Sequence, residues 1–552
     1  MPKKKRLEPD PKIAIGLLLG ICILFLTPFL NKSFHIDDPL FIWVAKHIQN
    51  NPFDFYGFTV NWYGVEMPMS EITKNPPFAS FYIAAVASCF GWSEITLHVA
   101  FLFPACAVVI GTYCVAKELC DSPFLATLAS MLTPVFLLSS TTIMCDIMML
   151  AFWIWAVYFW LRGIKTESNI SLGIASFLIA ACCLTKYYGM SLIPLVFAYS
   201  LMEKRRLGRW MLFLLFPALI LVAYQWATHA LYGRGLLLDA VSYSTTFHAR
   251  MSASFLTKAL TGLAFTGGCL ITILFYSPIF WRKWIVATGG ILILFLIFLL
   301  KYFTTVLNFQ TFDNSNIDWL FIIQFSILCC AGVCIIFIAI ADIWRRRDAD
   351  SLLLVLWLMG TFVFAIFLNW SINGRSILPA VPASGILLIR HLSRQKADGH
   401  NKSYWRLLLP LAPALVIALL VTWADYRLAN ASRSAAVKIY NTFSSAPGTL
   451  WFQGHWGFQY YMETLGAKAL DFERPAIIAG DIIIIPLNNT NIRPMSKEWF
   501  VLIQEFQLRT DTLMATMNSA AGAGFYSDLW GPLPFAIEYQ TNEKYYAFRM
   551  LK

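Results

Sequence analysis

Asp37 and Asp38 stand side by side in Phe34-His35-Ile36-Asp37-Asp38-Pro39-Leu40-Phe41, directly after the first apolar run of the chain. Carboxylates at the edge of a membrane segment are costly to hold there without a partner, a metal or a reaction. One of the pair could act as a general base towards a hydroxyl or amine while its neighbour orients or tunes it. The same residues also suit a helix start, with Asp at the cap and Pro39 at the first helical position. The two readings are compatible. Asp146, in Cys145-Asp146-Ile147-Met148-Met149, opens a later apolar run and could likewise cap a helix. If it lies at the level of Asp37, the three carboxylates could position an acceptor or hold a divalent cation with oxygen ligands.

Isolated cations accompany these acids. Lys74 precedes Asn75-Pro76-Pro77, whose prolines stiffen the backbone, Lys186 sits between two closely spaced apolar runs, and Arg375 follows Asn373-Gly374. Each supplies donors suited to a phosphate or pyrophosphate, although a lysine at a membrane edge also snorkels without further function. His35, Arg234, His248 and Arg250 are weaker candidates of the same kind. Trp43, Tyr56, Trp62, Tyr63 and Tyr187 could shape a cleft, against the plainer reading that aromatic residues collect at membrane interfaces.

The elements that position these residues follow from composition. Of 552 residues, 58% are hydrophobic and 13% charged, against about 45–50% and about 25% in soluble domains. The chain therefore reads as an integral membrane protein. Its net charge of +11 lies in short Lys/Arg clusters between apolar runs, which is a topology signal and excludes a nucleic-acid footprint. Almost all of the twelve cysteines fall inside apolar runs, without metal-ligand spacing, and read as small core residues.

Apolar runs of spanning length occur at 13–30, 97–117, 123–140, 146–162, 170–185, 187–202, 210–229, 258–277, 284–301, 319–341, 351–370, 376–392 and 406–424. This predicts a polytopic α-helical membrane protein with about thirteen spans. The run 77–92 is too short to span and reads as an interfacial helix. The basic clusters (Lys3–Arg6, Lys117, Arg162 with Lys165, Lys204–Arg209, Arg282-Lys283, Arg345–Arg347, Arg390–Arg406) fall on alternate connections. The positive-inside rule then sets a cytoplasmic N-terminus with an uncleaved first span. The first loop, 31–96, and residues 426–552 are placed on the outer face. The polar remainder, 426–552, reads as a small α/β domain, with strands at Thr449–Phe452, Asp481–Pro486 and Lys544–Leu551 and a helix at Gln459–Leu465. Residues 1–425 form the membrane domain.

The order of these features resembles a known family. One amino-terminal span leads to an outer loop that opens on an acidic pair, and a Lys-x-Pro-Pro segment enters an amphipathic helix. Asp146 opens a later span, and Leu184-Thr185-Lys186-Tyr187 lies between two more. Arg375 then precedes Leu378-Pro379-Ala380-Val381-Pro382. Across roughly residues 10–425 this is similar to the GT-C glycosyltransferases of the protein O-mannosyltransferase and lipid A aminoarabinose transferase type. The resemblance implies a GT-C fold, a polyprenyl-phosphate-linked sugar as donor and inversion at the anomeric carbon. It implies Asp37 as base, Asp38 in place of the commoner Glu, Asp146 as the second-loop acid, and Lys74, Lys186 and Arg375 on the phosphate side. The expected protein sits in a bacterial-type inner or plasma membrane, acts in the cell envelope on an acceptor that is lipid, glycan or protein, and involves no nucleic acid. The alternative is a transporter or flippase of lipid-linked glycans, but its expected two-half repeat is not evident.

Overall fold

The computed structural model describes residues 8–250, 254–280, 283–302, 318–397, 404–538 and 542–551. Among them, eight helices are long and apolar enough to cross a membrane. The pair Phe255–Cys269 and Thr272–Ile279, bent by 80°, makes a ninth if it is one span. The expectation is about thirteen, and the other apolar runs take the following forms among the described residues. Run 123–140 is broken at Pro134 into Pro123–Met131 and Pro134–Ser139, each under ~15 Å long at the α-helical rise. Run 187–202 opens with a 3₁₀ turn and leaves only Leu192–Lys204 as α-helix. Asn169–Thr185 is a further short apolar helix. Run 284–301 falls in the helix Lys283–Tyr302. Lys3–Arg6, Arg282 and Lys402 lie outside the described residues. Arg390, grouped above with a loop cluster, is in fact 2% exposed and bonds Ser351 Oγ at 2.7 Å and Asp342 Oδ2 at 3.0 Å.

The first span, Pro11–Leu26, ends in a 3₁₀ turn at Thr27–Phe29. The chain then turns sharply at Ile36, which has φ +48°, a left-handed conformation that β-branched residues rarely adopt. The helix Asp38–Asn50 follows with Pro39 in its first turn. Asp37 occupies the cap position but its side chain makes no capping bond, so the expected cap is not how this helix starts. Asp38 instead accepts from the backbone of His35, three residues back. Asp146 does not cap either, since Met144 stands at that position. The interfacial segment forms Phe78–Phe90, a 13-residue helix. It is tied to the preceding helix by Gln49 and to Glu94–Leu119 through Tyr82 and the Ala100 carbonyl.

The last apolar helix, Leu411–Phe443, runs 33 residues without a break, about 50 Å at the helical rise. It passes through the 425/426 boundary drawn from composition and carries the last spanning segment straight into the polar part. There a five-stranded sheet is ordered Lys468–Ala469, Leu450–Phe452, Ile482–Pro486, Asn542–Met550, Phe500–Arg509. The first three strands are parallel and the last two join antiparallel. Trp456–Leu465 is the crossover helix of the parallel pair. The three expected strands and the helix are present. The strand Phe500–Arg509 is an addition, on the sheet edge.

The C-terminal domain sits over the first loop and the loop before Arg375. Phe34 N–H donates to Tyr461 Oη at 2.9 Å, and Phe472 N–H donates to the Gly64 carbonyl at 2.7 Å. Gly374 N–H donates to the Phe525 carbonyl at 2.7 Å. Ile372 and Asp528 exchange two bonds, at 2.8 and 2.9 Å. Backbone bonds of this kind set register, so residues 372–375 are placed by the C-terminal domain as much as by the membrane helices.

Candidate active site

Arg375 is where the separate parts meet. Asn373 Oδ1 accepts from Ser376 N–H at 2.9 Å and starts the short helix Gly374–Ile377. From there the guanidinium reaches two acids that are far apart in sequence. Its Nη2 donates to Asp37 Oδ2 at 2.9 Å, and its Nη1 lies 3.8 Å from Asp146 Oδ2. Asp146 Oδ1 in turn accepts from Lys186 Nζ at 2.5 Å. Four charges therefore alternate in a row, Asp37, Arg375, Asp146, Lys186. A buried carboxylate is tolerable only when paired. Asp146, 1% exposed, stands between two cations and is suited to hold them, not to meet a substrate. Asp37 is the exposed end, at 29%, and its Oδ1 has no hydrogen-bond partner among the described residues.

Asp37 and Arg375 open onto a cavity of about 330 Å³, and Lys74 lines it as well. Lys74 Nζ donates to Asp239 Oδ2 at 2.6 Å and lies 5.2 Å from the centre of the Tyr243 ring. One carboxylate and two cations thus face a single space, which suits an anionic group beside a group that is to lose a proton. Tyr56, Trp62, Tyr63 and Trp370 form the aromatic walls from the membrane part. Trp456, Asn491, Tyr526 and Trp530 close the cavity from the C-terminal domain. A wider depression of about 610 Å³ lies on one face of the Leu411–Phe443 helix and is lined by that helix alone, without a carboxylate.

The other expected residues fall elsewhere. Asp38 is buried and does not line the cavity. Its two oxygens accept from the backbone N–H of His35 at 2.9 Å and of Ile143 at 3.2 Å. Burial pushes its carboxyl up to about 7, against the pull of Lys32 and these two donors. Its position is that of a clamp between the first loop and the loop before Asp146. His35 is also buried, with Nε2 at 3.7 Å from Asp425 Oδ1, and burial lowers its pKa to about 4. Lys186 reaches the charge row but not the cavity, and Tyr187 pairs with Tyr224 at 3.1 Å. Arg234 bonds Glu71 at 2.6 Å and lies 3.7 Å from Asp239, the partner of Lys74, but does not itself line the cavity. His248 and Arg250 end the helix Leu236–Arg250, and their side chains lie outside the described residues. Among the described residues no group of three or more His, Cys, Asp or Glu could hold a metal ion. The cation site expected at Asp37, Asp38 and Asp146 is therefore corrected: Arg375 and Lys186 neutralise Asp37 and Asp146, and Asp38 is turned to the backbone.

Beneath the cavity lies a second, fully buried set that the sequence reading passed over. Lys32 Nζ donates to Asp425 Oδ2 at 2.6 Å, both side chains being 0% exposed. Asp425 also accepts from Tyr526 Oη at 2.9 Å and from Thr516 Oγ1 at 3.0 Å. The Arg375 guanidinium lies 5.5 Å from the centre of the same Tyr526 ring, within cation–π range. The signal was available: Lys32 and Asp425 are lone charges at the ends of apolar runs. Trp456, Trp530 and Tyr526 gave no such signal, because aromatic residues in a polar domain are ordinary.

Residues 74–229 match the family described as dolichyl-phosphate-mannose-protein mannosyltransferase. No curated protein matches the chain. Among solved structures, the oligosaccharyltransferase of Archaeoglobus fulgidus is similar at 14% identity and a TM-score of 0.47, over 83% of this chain and 64% of that one. The chain thus spans less than two thirds of that relative. ArnT from Cupriavidus metallidurans, bound to undecaprenyl phosphate, is similar at 13% identity and a TM-score of 0.48, over 87% and 94%. The segment matched by the mannosyltransferase family begins at Lys74 and includes Asp146 and Lys186.

Proposed function

We propose that the chain moves a sugar from a polyprenyl-phosphate-linked donor to an acceptor hydroxyl or amine at the outer face of the membrane. The observation that carries this is the row Asp37, Arg375, Asp146, Lys186, whose open end shares one cavity with Lys74. A phosphate leaving group gathers negative charge as its bond to the sugar breaks, and fixed cations lower that barrier most in a site shielded from water. Arg375 and Lys74 are placed for this role. Asp146 and Lys186 keep Arg375 in place and balance its charge. Arg375 Nε is buried without a hydrogen-bond partner among the described residues, a donor that an anionic oxygen would satisfy.

Asp37 takes the acceptor proton. The acceptor atom bonds to the anomeric carbon from the face opposite the phosphate, and the C–O bond pair leaves on the phosphate oxygen. One displacement inverts the anomeric centre. The aromatic walls exclude water that would otherwise compete as acceptor. Loop charges support a cytoplasmic N-terminus, with the cavity and residues 426–552 facing outward across a bacterial-type inner membrane. The test is release of free undecaprenyl phosphate when the purified chain is given a panel of undecaprenyl-phosphate sugars together with a panel of hydroxyl- and amine-bearing acceptors (saccharides, a lipid glycan and a Ser/Thr peptide). Release with at least one donor, and loss of undecaprenyl phosphate binding in Arg375→Ala and Lys74→Ala, is expected. No release with any donor, or binding unchanged in both variants, refutes the proposal.

A further inference from the structure

We propose that the C-terminal domain builds the acceptor subsite and that the acceptor is a neutral saccharide, held against Trp456 and Trp530. The inference rests on the transferase reading and adds the class of its second substrate. The cavity has two chemically different sides. Its charged lining residues, Asp37, Lys74 and Arg375, all come from the membrane part. Every lining residue contributed by the C-terminal domain is uncharged, and the polar ones, Thr490, Asn491 and Ser527, carry a hydroxyl or an amide.

Trp456 and Trp530 lie with ring centres 5.5 Å apart and planes at 52°. The two rings pack against each other at this distance, and both side chains are half-buried and line the cavity wall with the ring surface left over. Indole faces take the C–H faces of a sugar ring, while hydroxyls and amides exchange bonds with its hydroxyl groups in either sense. A phosphorylated or carboxylated acceptor headgroup would find no cation on this side.

The backbone at Trp456 carries a second observation. Its φ is +63°, a conformation that a bulky residue rarely holds unless its surroundings impose it, and such residues cluster at ligand clamps. Here the imposition is visible: a side chain at Gly457 would run into the Phe34 carbonyl oxygen. The crossover helix is therefore seated directly on the loop that carries Asp37. That contact sets the Trp456 ring beside Trp530, in the same cavity as the proposed base.

Saturation-transfer NMR on the full chain in nanodiscs free of glycoside detergent tests this. The probes are the methyl glycosides of glucose, galactose, mannose and N-acetylglucosamine, with methyl glucuronide, glucose 1-phosphate and a Ser/Thr tetrapeptide as rivals. The expected result is transfer to ring C–H protons of at least one neutral glycoside. Its binding weakens about tenfold in Trp456→Ala and Trp530→Ala and is largely kept in Trp530→Phe. Asn491→Ala, at an exposed residue, weakens it as well and serves if the tryptophan variants do not fold. Transfer to no neutral glycoside, preference for a charged sugar or the peptide, or glycoside binding unchanged in all three alanine variants overturns the inference. Undecaprenyl phosphate binding is measured alongside. If the wild-type chain does not bind it, the transferase reading fails; if the lipid binds and no glycoside does, only the present inference fails.

Discussion

The two adjacent acids of the first loop invite the same substitution and should answer differently. Above about pH 8, where the raised Asp38 carboxyl is ionised, Asp38→Asn removes one of two charge-assisted bonds from buried backbone N–H groups, those of His35 and Ile143. Both carboxylate oxygens face donors, so the amide must turn its NH₂ group towards one of them. Losing a bond to a charged acceptor and leaving a buried donor unpaired costs about 2–3 kcal/mol. Asp37→Asn, at a partly exposed residue paired with Arg375 at 2.9 Å, costs about 1 kcal/mol or less in folding. Its effect falls on the reaction instead, where loss of a general base lowers the rate about 10²–10⁴-fold. SDS-driven unfolding in mixed micelles measures the first quantity, and release of undecaprenyl phosphate from a lipid-linked donor measures the second. If Asp38→Asn unfolds like the wild type while losing release, or Asp37→Asn keeps full release, the assignment of clamp and base is refuted.

Three further outcomes follow from the same geometry. Lys32→Met or Asp425→Leu alone leaves its partner's charge buried and destabilises the chain by about 3–5 kcal/mol, whereas the double variant recovers part of that loss, the Tyr526 and Thr516 hydroxyls remaining without their acceptor. Additive single effects in SDS unfolding would contradict a coupled pair. Glu543, buried and bonded to Asn488 at 2.8 Å, has its carboxyl pushed up to about 7 by burial. The folded state then holds this proton after the unfolded chain has released it, so stability falls as pH rises from about 4.5 to 7, by about 2–3 kcal/mol. Glu543→Gln should flatten that limb of a stability–pH profile, and an unchanged slope would assign it to other groups. Arg375→Lys keeps a charge but cannot span Asp37 and Asp146 in one planar fork. It should weaken undecaprenyl phosphate binding about tenfold, and equal binding by the two residues would show that charge alone suffices.

Much of this was legible from residue types. Asp37, Lys74 and Arg375 stand out because each is a lone charge near an apolar run, and the cost of that placement makes it informative. The strand Ile482–Pro486 was legible because a short β-branched run bounded by Asp and Pro has few other uses. Two kinds of feature were not. Hydropathy alone did not show where proline splits an apolar run, as it does between Pro123–Met131, buried among other helices, and Pro134–Ser139. The division of labour between Asp37 and Asp38 was hidden because it depends on one turn at Ile36, which points one carboxylate into the cavity and the other to the backbone. Tyr526, nearly five hundred residues from Asp37, has no local pattern that marks it.

Tyr526 also bears on what the C-terminal domain is for. Compositionally that domain begins where the membrane part ends, which suggests an appendage. The physical connections argue otherwise. The Tyr526 hydroxyl is held by Asp425, Asp425 is held by Lys32 beneath the first loop, and the Tyr526 ring lies against Arg375. Arg375 is itself placed by backbone bonds from residues 525 and 528 to residues 372 and 374. An arginine that bridges two acids has several low-energy arrangements unless its backbone and one ring face are fixed, and here both are fixed from the C-terminal side. Removing the domain would thus cost more than a wall of the cavity: it would release the cation that the phosphate is proposed to meet. A truncation at residue 430 should therefore lose undecaprenyl phosphate binding even though Asp37, Lys74, Asp146, Lys186 and Arg375 all remain in the chain. Retained binding would return the domain to the status of an appendage.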